Sequence, residues 1–161
     1  MIKVARLDDR LIHGQVSTSW TRAFSIQLII VVDDKVVTDK VQLPVLKMAA
    51  PAGTRLYVLD EKNFLQKYHD GTFDPYNTML IFNNVETINR LVEGGLKLTS
   101  LNLGGVRFRE GRRKYTKAVS LSEDEKDLLL KIASHGVALD LRQLVTDQSV
   151  NFEKVLREGE K

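Results

Sequence analysis

No cysteine occurs in the sequence, which excludes disulfides, thiolate metal sites and every mechanism that runs through a cysteine nucleophile. Long apolar runs are missing too: the longest, Leu28 to Val32, has five residues, against the roughly 20 that a membrane-spanning helix needs. The first ten residues, MIKVARLDDR, carry charge at positions 3, 6, 8, 9 and 10 and lack the apolar stretch of a secretory signal, so a cytoplasmic location is expected. Charge of one sign is also scarce. The 24 Lys and Arg against 21 Asp and Glu leave a net charge of +3, too mild to indicate a nucleic-acid partner.

Several motifs are absent as well. The three histidines stand at positions 13, 69 and 135 with no His-Glu-x-x-His spacing, so no metal is expected. There is no phosphate loop ending Gly-Lys-Ser/Thr, no G-x-G-x-x-G turn and no G-x-S-x-G elbow, which argues against nucleotide enzymes and serine hydrolases. Gly104-Gly105 is a weak echo of the first class.

What is present is a 161-residue chain with 43% hydrophobic residues, enough to bury the core of one domain spanning residues 1–161. Short β-rich runs at 2–7, 28–32, 54–59, 79–82 and 100–103 alternate with helix-length stretches at 14–24, 36–48, 61–69 and 85–95. That alternation predicts βαβ units and a mainly parallel sheet. Pro44 is expected to kink the second helix or divide it in two. Farther on, 114–121 and 137–144 read as strands, Ser122 to Glu125 as a capping box before a helix, and 150–158 as a last helix. The first five strands end in polar or flexible residues, and in a parallel sheet those ends share the carboxyl edge where open α/β folds bind ligands.

Two histidines read as structural. His69 precedes an Asp-Gly turn and is expected at an exposed helix end. His135 falls where positive charge complements a helix dipole. His13 differs, because it sits in the loop "RLDDRLIHGQV" (residues 6–16), between Arg10 and Gly14 at the mouth of a helix. That helix start offers unpartnered N–H groups at Gly14 and Gln15, and with Arg10 they form an anion site. Neutral imidazole has one lone pair free to attack phosphorus, while a carboxylate on its other nitrogen fixes the tautomer. Asp8 and Asp9 are both candidates for that carboxylate. Gly14 is expected to allow close backbone approach. Arg6 is expected on the face of Ile2 and Val4, behind the site, either as a further phosphate-binding residue with Gly14 and Gln15 or simply paired with an aspartate. The plainer reading of His13 is an imidazole that only fixes its turn.

Residues 107–117 hold six basic side chains (Arg107, Arg109, Arg112, Arg113, Lys114 and Lys117) against Glu110 alone. They read as a solvated loop, as a dock for an acidic protein surface, or as an RNA contact. A module that merely binds a phosphorylated metabolite is the other rival.

The stretches "ARLDDRLIHGQVSTSW", "MLIFNNVETINRLVEGG", "SLNLGGVRFREGRRKYTKAVSLSEDE" and "GVALDLRQLVTD" together resemble the IIB component of the mannose/fructose/sorbose family of the bacterial sugar phosphotransferase system, along essentially the whole chain. Leu7, Leu103 and Val106 replace the family's usual Ile, Val and Met, and Val85 stands where many members have Pro. The resemblance implies an open, mostly parallel twisted α/β sheet with helices on both faces and an antiparallel strand near one edge. It implies a protein-N(pi)-phosphohistidine–sugar phosphotransferase, without cofactor, at the inner face of the membrane. In that role His13 accepts phosphate from a IIA phosphohistidine, and Arg10 steadies the group. A hexose entering through the subunits IIC and IID then receives it. Arg107, Arg109, Arg112 and Arg113 are candidate docking residues, and self-association into a homo-oligomer is left open.

Overall fold

The computed structural model describes residues 1–158; the expected domain end at 161 lies outside them. A seven-stranded sheet has the order β3-β2-β4-β1-β5-β8-β9. Its parallel strands are β1 (Ile2–Asp8), β2 (Leu28–Val32), β3 (Arg55–Leu59), β4 (Thr78–Phe82), β5 (Ser100–Gly105) and β8 (Ala138–Leu141). The short edge strand β9 (Val150–Asn151) runs antiparallel to β8, as expected.

Two apolar clusters divide the faces. Helices α1 (Gly14–Ala23) and α2 (Gln42–Ala49) place Trp20 and Leu46 against Val4, Ile29, Val31, Met79 and Ile81. On the other face, α3 (Glu61–His69), α4 (Val85–Glu93), α5 (Glu123–Ala133) and α6 (Phe152–Glu158) cover Ala5, Leu7, Leu28, Ile30 and Phe82. The chain runs one way across the sheet for α1 and α2 and the other way for α3, α4 and α5, so right-handed crossovers send the two groups to opposite faces. Because β1 is followed by a helix on one face and β5 by a helix on the other, a crevice opens between their carboxyl ends.

Three expectations need correction. The second helix is divided, but not at Pro44: a short 3-10 turn (Val36–Thr38) precedes α2, and the break lies at Asp39, whose Oδ1 accepts the N–H groups of Val41 and Gln42. Pro44 sits in the first helical turn, where its missing N–H has no partner to lose. The strand expected over 114–121 is instead a hairpin of β6 (Arg113–Lys114) and β7 (Ser120–Leu121), outside the main sheet. Thr116 Oγ1 accepts from the Ala118 and Val119 N–H groups and curls the chain between them. Finally, β1 shifts register between Ile2 and Val4, so Ile2 packs with the opposite cluster while Val4 and Arg6 share a face near Trp20.

The capping box is present: Ser122 accepts from the Glu125 N–H, and Glu125 reaches back to the Ser122 N–H. Glu125 also takes a two-pronged contact from Arg112, 2.8 and 2.9 Å. Ser122→Ala is therefore expected to lower unfolding free energy by about 1 kcal/mol. Glu125→Ala, which also frees Arg112, should cost about 1.5–3 kcal/mol; urea titration of the two variants checks the order.

Candidate functional site

The site is built on the end of β1 and the loop that leads into α1. Asp8, the last residue of β1, is fully buried. Its Oδ1 accepts from the Arg10 N–H at 3.1 Å and from Arg10 Nε at 3.2 Å. Its Oδ2 is shared by Arg6 Nη2 and His13 Nε2, each at 3.1 Å. A carboxylate offers about four acceptor positions, so Asp8 is saturated. Burial pushes its carboxyl up, but the Arg10 hydrogen bonds and the charges of Arg6 and Arg10 outweigh that and hold it below the usual carboxylate range.

The turn is fixed from beneath. The Leu11 N–H closes on the Asp8 carbonyl at 2.9 Å, and Leu11 and Ile12 are buried in the Trp20 cluster. Leu11 takes a left-handed φ of 60°, which costs about 1–3 kcal/mol for a residue with a side chain. Gly14 follows at φ 49°. A Cβ there meets nothing within 4 Å, so within the chain it is the backbone conformation that calls for glycine.

His13 is the N-cap of α1, with its backbone N–H on Ser17 Oγ and its side chain 26% exposed. With Nε2 turned to Asp8, Nδ1 makes no hydrogen bond among the described residues and is open to solvent. The first turn of α1, including Gly14 and Gln15, carries no acidic residue and no side-chain cap, so no carboxylate on the helix offsets the partial positive charge of its N–H groups. Arg10 is 38% exposed and keeps Nη1 free of any partner among the described residues.

Of the two candidate aspartates, Asp8 meets His13. Asp9 instead accepts the Arg107 N–H at 2.8 Å and Arg107 Nε at 3.2 Å through Oδ2, tying the basic segment to the loop. A cleft of about 340 Å³ beside Arg10 is bordered by Arg107, Phe108, Lys117 and Gln143. Arg109 and Arg113 are exposed, the latter stacked on Tyr115. Arg112 does not belong with them, because Glu125 and the Arg107 carbonyl occupy its guanidinium. Among the described residues no cluster of acidic or histidine side chains is placed to hold a metal ion. His69 and His135 are exposed at helix ends, bonded to the carbonyls of Gly94 and Lys131.

Arg6 stands behind the site and pairs with an aspartate, as expected, but it is too deeply buried to reach a phosphate directly, and sequence reasoning missed its other partner. Arg6 is 2% exposed and also bonds Asn102 Oδ1 at 2.6 Å. It lies 5.3 Å from the Trp20 ring centre, and Arg142 lies 5.1 Å from it. Burial lowers the Arg6 pKa, against the pull of Asp8. Gly104 makes room for that guanidinium, which a Cβ would meet at 2.1 Å, and Gly105 sits against Arg10 and Asp8. The Gly-Gly pair was the visible signal, pointing to a buried cation and not to a nucleotide.

Residues 2–161 match the model of the PTS system sorbose subfamily IIB component. The chain belongs to this family. It is 37% identical, over its whole length, to the PTS system mannose-specific EIIAB component of Escherichia coli strain K12, half of whose length it spans. It is 34% identical to the fructose-specific EIIB component of Bacillus subtilis, over 97% of this chain and 96% of that one. The crystal structure of the IIBSor domain of the Klebsiella pneumoniae sorbose permease superposes with a TM-score of 0.93 at 35% identity, covering 98% and 97% of the two chains. Three sugar names at nearly equal identity leave the sugar undecided by likeness alone. The IIB fold is thus shared in full, including the mostly parallel sheet with its antiparallel edge.

Two outcomes follow for this IIB chain. Asp8→Asn leaves a buried Arg6 without its carboxylate and is expected to cost about 3–5 kcal/mol at neutral pH. Because the folded-state carboxyl is depressed, that contribution is complete above the ordinary carboxylate value of about 4 and fades as pH falls through the lower folded value; guanidinium titrations of both proteins from pH 7 to pH 2 should show the gap closing. Gly104→Ala drives a methyl into the pinned guanidinium and is expected to cost about 1–3 kcal/mol or more in the same assay.

Proposed function

We propose that the chain is a phosphocarrier that accepts a phosphoryl group on His13 Nδ1 from a phosphohistidine of a IIA protein and passes it to a sugar. The observation that carries this reading is the His13 ring at the start of α1, with Nε2 on the Asp8 carboxylate that also holds Arg10, and Nδ1 without a partner among the described residues.

In the first step the Nε2–H of the neutral ring donates to Asp8, which leaves the Nδ1 lone pair to attack phosphorus. The new N–P bond forms as the N–P bond of the donor breaks, and the donor nitrogen keeps that electron pair. Asp8 meets the positive charge that builds on the ring. Arg10 and the free N–H groups of the first α1 turn meet the phosphoryl oxygens. In the second step a sugar hydroxyl oxygen bonds to phosphorus as the Nδ1–P bond breaks; Nδ1 keeps that electron pair, and the hydroxyl proton passes to water. No cofactor enters either step. Asp9 acts at one remove, holding Arg107 at the rim.

The chain serves in the cytoplasm, at the inner face of the membrane, where the subunits IIC and IID present a hexose of the mannose, fructose or sorbose class. Among the described residues no helix is long and apolar enough to cross the membrane. Exposed Arg107, Arg109 and Arg113 steer an acidic partner, and such rim charges favour the fast, weak encounters a carrier needs.

Incubation with phosphoenolpyruvate, the general phosphotransferase proteins and a IIA protein is expected to add one acid-labile, alkali-stable phosphate at His13, read by mass spectrometry. His13→Gln should take none, and Arg10→Ala should load at least about 100-fold more slowly, as for loss of a charge-stabilising donor. Full labelling of His13→Gln would move the acceptor elsewhere. Tight equilibrium binding of a sugar phosphate without any covalent phosphate would point to a binding module.

A further inference from the structure

Asn102, the third residue of β5, takes no part in the chemistry above, yet it decides how Arg6 is used. Arg6 donates from Nη1 to Asn102 Oδ1 at 2.6 Å and from Nη2 to Asp8 Oδ2 at 3.1 Å. The Asn102 amide has one orientation open to it. Its Nδ2 faces three acceptors on β8 and just beyond: Asp140 O at 3.3 Å, Asp140 Oδ2 at 3.2 Å and Arg142 O at 3.0 Å. Turning the amide round would set Oδ1 against those oxygens and an N–H against Arg6.

The charges around this centre are few. Arg6 and Arg10 both bond Asp8, while Asp140 is paired with Arg142 at 2.9 Å and accepts from Ser149. With Asp140 engaged by Arg142, the neutral Asn102 gives Arg6 a firm hydrogen bond without cancelling its charge. One carboxylate therefore answers two guanidinium groups before it answers His13. A proton added to the ring would be a third positive charge on a single negative one.

We infer that Asn102 is a positioning residue for phosphoryl transfer: it holds Arg6 against Asp8 Oδ2 with a neutral partner, which fixes the carboxylate that orients the His13 ring and limits the negative charge that reaches it. This rests on the reading of His13 as the phosphoryl acceptor. The lowered Arg6 pKa fits a cation that burial leaves short of full compensation. Arg6 remains charged and Asp8 remains saturated, so the ring receives orientation from the carboxylate more than it receives charge.

The test is the ring titration of His13 in the unphosphorylated full chain, followed by proton–nitrogen NMR, which needs no phosphate donor. Asn102→Asp combined with Asp140→Asn, which gives the new carboxylate's second oxygen an amide donor in place of Asp140 Oδ2, moves one carboxylate to Arg6 and frees Asp8 for His13; the midpoint is expected to rise by about one pH unit. Phosphoryl uptake near neutral pH should fall in that variant and recover at higher pH. Asn102→Ala removes the outer hold on Arg6, which then leans on Asp8, and the midpoint should move down. Unchanged midpoints with lowered melting temperatures would reduce Asn102 to a structural residue and overturn the inference. If the double variant does not fold, the alanine variant decides alone, by whether its midpoint falls. Failure of phosphorylation at His13 in the parent chain would strike the functional reading instead, and the two failures are read in separate experiments.

Discussion

The arrangement around His13 depends on one buried carboxylate. Asp8 closes the turn through the Arg10 N–H, holds the Arg10 side chain, anchors Arg6 below and sets the His13 ring. Five donors on two oxygens fix all of these groups relative to one another. A buried ion pair is weak evidence for stability in itself, but removing one partner leaves an uncompensated charge inside. The value of Asp8 is therefore geometric: it makes the positions of two cations and one imidazole a single quantity.

The strand order brings distant residues to this centre. Gly104 and Asn102 come from β5, which pairs with β1, and Asp140 comes from β8, on the far side of β5. A parallel sheet puts their carboxyl ends along one edge, so a network can run sideways across three strands. Trp20 closes it from the helical side, with a guanidinium near its ring from Arg6 and another from Arg142. The basic segment joins through Asp9 and Arg107, so the rim of the cleft and the loop that holds His13 share a support.

Much of this was legible in the sequence because it is written locally. The alternation of apolar runs with helical stretches gave β1 to β5 and their helices, and the Ser122–Glu125 capping box marked α5 directly. His13, Arg10 and Asp8 lie within six residues, so one loop displayed the chemistry. Asn102 lies 96 positions from Arg6, and no periodicity marks an asparagine in a strand as the partner of a buried arginine. The choice between Asp8 and Asp9 was equally hidden, since neighbouring residues at the end of a strand point in different directions. The hairpin at 113–121 misled for another reason: its residues alternate like a strand, but Thr116 turns the backbone with its own hydroxyl.

The left-handed Leu11 has a consequence for a carrier. Its unfavourable backbone is held in place by the burial of its own side chain and that of Ile12, so the turn has its shape before any anion arrives. A flexible turn would gain order around the phosphate and release it grudgingly. A turn already ordered at the cost of folding has little further relaxation to offer, so under the proposed role the shape that receives the group is also the shape that gives it up.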